Sequence, residues 1–267
     1  AGPGTLARTV TVAAGACLDA GALEWVMVER ADAQRRHHPT GPHLWSVSSD
    51  ADLDRVDVVF ANELLDNLGF DIVERTERGW VECRVATDGA AFVLVAGEAA
   101  ETPHSADAAR VGDRLPTVPA AVEWVGERRR RFPDARVVVF DYAAPVTDLL
   151  ERDGAWLRSY RDHVRVHDWL MQPGSCDITI DLPVEPLAAI AGASIETQAD
   201  FLRRHGIDAL VEEGRRLWSA SAHIGDLAAL RARSRVTEAD ALLDPTGMGA
   251  FAVFSWPGRD SPRAPAR

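Results

Sequence analysis

A chain of 267 residues with 46% hydrophobic and 26% charged residues has the make-up of a soluble globular protein, long enough to bury a sizeable core. Its 41 acidic against 29 basic residues give a formal charge of −12, which excludes broad binding to nucleic acid or anionic membrane, because both need basic surface against phosphate. Cys17, Cys83 and Cys176 are odd in number and far apart, with no CxxC pair. Neither a disulfide framework nor a zinc site is expected, and the three read as reduced, mostly buried thiols. No apolar run is long enough to span a membrane and no signal peptide is visible, so the expected compartment is cytoplasmic.

The chain opens on a glycine-rich turn, Ala1-Gly2-Pro3-Gly4-Thr5, that runs into a helical pattern over residues 5–20, where Leu6, Val10, Ala13, Ala14 and Cys17 share one face and Gly21 is the stop. Residues 23–28 read as a buried strand closed by Glu29, residues 31–38 as a short helix ended by Pro39, and residues 44–47 as a short strand. A further strand over 56–61 carries Asn62 and Glu63 at its C-terminal end. This βαβ alternation predicts an α/β fold with a parallel sheet covered by helices. Residues 70–85 read as a β-hairpin around Arg78-Gly79, 91–96 as a strand and 97–119 as a polar loop. A helix over 119–132 leads to a strand over 136–140 that ends at Asp141-Tyr142. Residues 143–172, rich in Asp, Arg, His and Trp without clean periodicity, read as an inserted functional loop. Strand, helix and strand follow at 177–181, 183–191 and 194–197, then helices over 199–235, a final strand within 249–256 and a disordered tail at 257–267.

In such sheets ligands bind outside the carboxyl ends of the strands. The opening glycines, Glu29, Asn62-Glu63 and Asp141-Tyr142 all stand at such ends, and together they point to a nucleotide-like ligand: the turn exposes N–H groups at a helix N-terminus, and the acid can accept both ribose hydroxyls. The same turn and acid would also suit a nicotinamide cofactor. His37 and His38, next to Arg35 and Arg36, read as a solvated face, as do Arg128 to Arg131. His163 and His167 are four residues apart without an HExxH motif, and no metal is expected.

The segments Ala1-Gly2-Pro3-Gly4-Thr5-Leu6-Ala7-Arg8, Val28-Glu29, Phe60-Ala61-Asn62-Glu63-Leu64-Leu65-Asp66 and Phe140-Asp141-Tyr142 resemble the MidA-like family of S-adenosylmethionine (SAM)-dependent methyltransferases. So do Leu157-Arg158-Ser159-Tyr160-Arg161, His167-Asp168, Asp177-Ile178-Thr179 and Thr197-Gln198-Ala199-Asp200-Phe201-Leu202, in order along nearly the whole chain. That family includes a mitochondrial complex I assembly factor that methylates a protein arginine. The resemblance implies a Rossmann-like class I methyltransferase sheet with helices on both faces, an inserted hairpin and a helical C-terminal region. One domain over 1–256 is expected, with insertions around 68–118 and 143–176.

The resemblance further implies SAM as cofactor, bound by Gly2, Pro3, Gly4, Thr5, Glu29 and Asn62, with Asn62 and Glu63 beside the reactive methyl. Glu63 and Asp66 are carboxylates able to orient a guanidinium through paired hydrogen bonds, although Asp66, one helical turn on, also suits a cap. Asp141, Tyr142, Tyr160, Arg161 and His167 are the candidate substrate-binding residues. The sequence departs from the family at Gly69-Phe70, Ala143, Ser46-Val47-Ser48 and Asp181-Leu182-Pro183, the marks of a divergent member. The expected partners are a protein substrate and a second copy of the chain, with no nucleic acid and no membrane; a non-enzymatic assembly factor on the same fold stays open. A strand ending in Gly or Glu-x-Gly is expected before Ala1, with the first strand of the sheet missing here and poor folding of this chain alone as the consequence.

Overall fold

The computed structural model describes residues 2–89, 91–162, 164–172 and 174–259, and divides into two compact units, Ala1–Val56 and Asp57–Arg267. In the first unit the helical pattern gives α1 (Thr5–Ala13) and α2 (Gly15–Asp19), broken at Ala14 where one helix was expected. Two threonine hydroxyls in α1 bond back to carbonyls four residues earlier, Thr9 to Thr5 at 3.4 Å and Thr11 to Ala7 at 2.8 Å. Such back-bonding bends helices, and Gly15 adds no propensity to bridge the bend. Strand β1 (Trp25–Val28) pairs in parallel with β2 (Leu44–Val47), from Trp25 opposite Leu44 to Val28 opposite Val47. The strand expected to be buried buries only Met27, while Val28 and Trp45 are exposed. Between the strands, α3 (Asp32–Arg35) is shorter than the 31–38 expected.

The second unit begins with β3 (Val58–Asn62), followed by the hairpin of β4 (Asp71–Thr76) and β5 (Gly79–Thr87), as its turn signal predicts. The expected loop over 97–119 is partly strand. β6 (Phe92–Ala100) runs into it and β7 (Arg114–Thr117) closes it, giving a sheet in the order β6-β5-β4-β7. Pro116 hid β7 in the sequence; an edge strand tolerates proline because one side of its ladder is unused.

Next come α4 (Pro119–Arg131), β8 (Arg136–Asp141), β9 (Ala143–Ala144) and α5 (Val146–Glu151). The stretch read as a functional loop then folds into an antiparallel hairpin, β10 (Leu157–Arg161) and β11 (Val164–Val166), and β10 pairs on its other side with β12 (Asp177–Ile180). The chain continues through β13 (Leu182–Pro183), α6 (Val184–Ala188), β14 (Ser194–Thr197), α7 (Gln198–Arg204), α8 (Ile207–Ser221), α9 (Leu227–Leu243) and β15 (Ala252–Trp256). Helices α7 and α9 start on side-chain caps: Thr197 accepts from the Asp200 N–H and Asp226 from the Ala229 N–H.

The main sheet is ordered β14-β15-β8-β3, with β3 and β8 parallel and β15 antiparallel to both of its neighbours. Strand alternation fills two faces. Val137, Val139, Phe254 and Trp256 enter the main core on one face, and Val138, Phe140 and Val253 meet Phe201 of α7 on the other. Each such fully buried side chain contributes roughly 1.5–3 kcal/mol relative to exposure, so β8 and β15 form the rigid centre from which the strand ends project.

Among the cysteines, Cys17 is exposed and Cys83 and Cys176 are half-buried, a correction to the expected burial. Of the expected tail, Pro257 to Arg259 are placed, with the Arg259 N–H bonded to the Pro133 carbonyl at 3.0 Å; residues 260–267, like His163, lie outside the described residues. No helix among the described residues is long and apolar enough to cross a membrane.

Candidate functional site

In the first unit the opening turn is held from two directions. Gly2 and Gly4 have φ of 53° and 76°, a left-handed conformation that side-chain-bearing residues rarely adopt. A Cβ on Gly4 would stand 2.9 Å from Pro39 Cδ and 3.2 Å from His38 Cδ2. Gly4 caps α1 without a side-chain hydrogen bond, so no capping side chain occupies the first N–H groups of this nine-residue helix. The Glu29 carboxylate, just past β1, accepts the Gly2 N–H at 2.8 Å and the Ala31 N–H at 2.9 Å. Burial works to raise its pKa, and the Ala31 and Gly2 hydrogen bonds bring the net shift downward, so Glu29 is an anion at neutral pH.

His38 corrects its expected place on a solvated face: it is 8% exposed. Its Nε2 lies 2.9 Å from the Gly2 carbonyl oxygen, which can only accept, so Nε2 carries the proton; Nδ1 meets the Ser46 hydroxyl at 2.8 Å. Gly2, Gly4 and Glu29 are thus brought together, while Pro3 and Thr5 are exposed on the turn, where Pro3 accepts from Arg8.

The second unit gathers its candidates at the carboxyl ends of β3 and β8. Glu63, at φ 49°, turns the chain out of β3, its N–H held by the Phe140 carbonyl at 2.8 Å. Strained backbone of this kind is retained where surrounding structure over-determines it. One carboxylate oxygen of Glu63 accepts from Asn62 Nδ2 at 3.0 Å, and the other from the Tyr142 hydroxyl at 3.2 Å. Burial, then the Glu63 charge and hydrogen bond, push the Tyr142 pKa up to about 12, which keeps the phenol a donor.

Asp66 and Asp141 lie beneath this exposed layer, 3% and 0% exposed. Asp141 accepts from the Leu65, Asp66 and Tyr142 N–H groups at 2.8, 3.3 and 2.9 Å, which ties the turn after Glu63 to the end of β8. Asp66 accepts from Thr179 Oγ1 at 2.5 Å and Asn67 Nδ2 at 2.7 Å. Burial raises both carboxyl pKa values, most clearly that of Asp141, to about 7, with the Asp66 charge adding to it. Both acids are occupied with holding the Glu63 turn rather than facing outward.

On β10, Arg158 and Tyr160 share one face with Thr179, because paired residues and alternate residues point the same way. Arg158 lies over the Tyr142 ring, 4.9 Å from its centroid, and pairs with Asp181 at 2.6 Å. Arg161 belongs to the opposite face and reaches the Ser175 hydroxyl at 3.0 Å, and His167 is exposed beyond β11. Arg158, Thr179 and Asp181 stood in quoted segments or departures of the sequence, but only strand pairing shows what they hold. A cavity of about 540 Å³, lined by Arg129, Arg130, Phe132, Pro133, Pro257 and Arg259 among others, contains none of these candidates. Among the described residues no group of three or more His, Cys, Asp or Glu could hold a metal.

A family model described as "Putative S-adenosyl-L-methionine-dependent methyltransferase" matches residues 1–200. Two solved structures from Burkholderia thailandensis, members of one superfamily, share 26% identity with the chain. One superimposes with a TM-score of 0.76 over 97% of this chain and 73% of its own; the other, bound to S-adenosyl-homocysteine, with 0.71 over 94% and 69%. Among curated proteins none matches. The family model spans most of the chain, and the fold similarity extends over nearly all of it: the chain belongs to this family of SAM-dependent methyltransferases.

Proposed function

We propose that this methyltransferase acts on a protein side chain, with the arginine guanidinium as acceptor. The observation that carries the reading is the Glu63 carboxylate, exposed, turned out of its strand by a left-handed backbone and oriented by Asn62 and Tyr142. Neutral donors on each oxygen fix the carboxylate without neutralising it, and a fixed carboxylate is what a planar guanidinium recognises through two parallel N–H bonds.

SAM, when bound, supplies a methyl group activated on a sulfonium centre. In the first unit, the first N–H groups of α1, opened by the Gly2–Gly4 turn, and the anionic Glu29 fit such a ligand, Glu29 as acceptor for ribose hydroxyls. In the second unit, Glu63 would hold positive charge on two guanidinium nitrogens and leave the third richer in electrons for attack. The proton given up by that nitrogen leaves to water at this exposed position. Asp66 and Asp141 are given positioning roles, and Tyr160, on the face shared with Arg158, is preferred to Arg161 and His167 as the substrate contact.

Two assays on the full protein test the reading. Calorimetry with SAM and with NAD is expected to show saturable SAM binding alone. Incubation with methyl-tritiated SAM and a total protein extract is expected to label protein; SAM binding with label confined to small molecules would overturn the choice of a protein acceptor.

A further inference from the structure

Tyr142 is held by more than its bond to Glu63. Its ring meets Phe251, with centroids 4.3 Å apart, and the Arg158 guanidinium. Arg158 is anchored in turn: its Nη1 pairs with Asp181, an acid only 6% exposed whose own N–H is bonded to the Trp156 carbonyl. Arg152 also pairs with Asp181. Among the described residues Arg158 Nη2 is buried and makes no hydrogen bond, which leaves the aromatic face as the group compensating that part of the cation. The same face of the β10–β12 ladder sends Thr179 to Asp66, so two adjacent side chains of one sheet grip both the phenol and the turn that present Glu63.

We propose that Arg158 is a positioning residue for the acceptor site: anchored by Asp181, its guanidinium sets the Tyr142 ring so that the phenol donates to Glu63. The proposal rests on the reading of Glu63 as the acceptor-orienting carboxylate. Its physical content is geometric. A tyrosine ring turns about two torsions, and a flat cation packed on it removes freedom in a way that a point charge on a flexible stem does not. A ring free to swing would leave one Glu63 oxygen without its donor.

The chain has two tyrosines, so protein labelled with [13Cζ]tyrosine gives two signals, and Tyr160→Phe assigns the one from Tyr142. Arg158→Gln is expected to move the Tyr142 signal in the same direction as Glu63→Gln, to leave SAM affinity by calorimetry unchanged, and to slow tritium transfer into protein by about five- to tenfold. In a Tyr142→Phe background, Arg158→Gln is expected to slow transfer no further, because both changes remove one coupled arrangement. If the glutamine variant does not fold, Arg158→Lys, which keeps a charge for Asp181, is read the same way, with a smaller shift of the Tyr142 signal. A folded variant whose Tyr142 signal stays at the wild-type position, or rate losses that multiply in the double variant, overturns the proposal. Transfer undiminished in Glu63→Gln while Arg158→Gln still moves the Tyr142 signal would sink the reading of Glu63 and leave the Arg158 packing standing.

Discussion

The Tyr142 hydroxyl donates to a Glu63 carboxylate oxygen at 3.2 Å across 79 positions of sequence, joining the end of β8 to the end of β3. Removing the donor should act on the acceptor step alone. Tyr142→Phe is expected to lower methyl transfer by about tenfold, the worth of one neutral hydrogen bond to a charged group, with the SAM dissociation constant unchanged by calorimetry. A loss of SAM affinity with normal turnover at saturation would contradict this.

The opening turn is predicted to fail at Gly4. A Cβ there meets Pro39 at 2.9 Å in a backbone conformation with φ 76°, so Gly4→Ala is expected to cost about 1–3 kcal/mol locally and to weaken SAM binding by about tenfold or more. Gly69→Ala, where a Cβ meets nothing within 4 Å, is the matched control and should leave SAM binding at the wild-type value.

Thr179 donates to a buried carboxylate, so Thr179→Val leaves Asp66 short of a partner in the interior. The expected loss is about 1–3 kcal/mol of unfolding free energy, read as a lower urea midpoint with an unchanged slope. Stability equal to wild type would mean that the hydroxyl contributes nothing to holding the Glu63 turn.

The raised pKa of Asp141 sets a direction for pH. Its folded value, about 7, exceeds the 3.8 of the free carboxyl, so between these values the folded state binds more protons than the unfolded one. This contribution to stability is therefore complete below about pH 4 and is lost as pH rises through about 7; Asp66, shifted the same way, adds to it. Asp141→Asn, which cannot ionise, is expected to flatten the fall in urea midpoint over this window. An equally steep fall in the variant would place the titration elsewhere.

The alternation of strand and helix, the hairpin and the helix over 119–131 could be read from the chain, because apolar periodicity and turn residues act locally. The residues at strand ends, Glu29, Asn62, Glu63 and Tyr142, were legible for a related reason: each closes an apolar run. What escaped depends on pairing between distant segments. Arg158 and Ser159 are polar residues turned inward, one compensated by Asp181 and the other by the Val166 carbonyl, so β10 shows no clean alternation and passed for a loop. His38 sits in a run of charged neighbours that suggests a surface, yet the Gly2 carbonyl 36 positions earlier gives it an interior partner. Asp66 reads in the sequence as a carboxylate for a guanidinium or a cap, and Asp141 as a substrate-binding residue; only the packing of β8 against the turn after β3 reveals both as interior props.

We propose, above all, that Glu63 orients a protein guanidinium for methylation. The most direct measurement is mass spectrometry of protein digests after incubation with trideuteromethyl-labelled SAM, comparing wild type with Glu63→Gln at matched SAM saturation. The label is expected on arginine side-chain nitrogens, with incorporation lower by about a hundredfold in the variant, since a neutral amide cannot hold the guanidinium charge. Label on a different acceptor group, or equal arginine labelling by the two proteins, would contradict it.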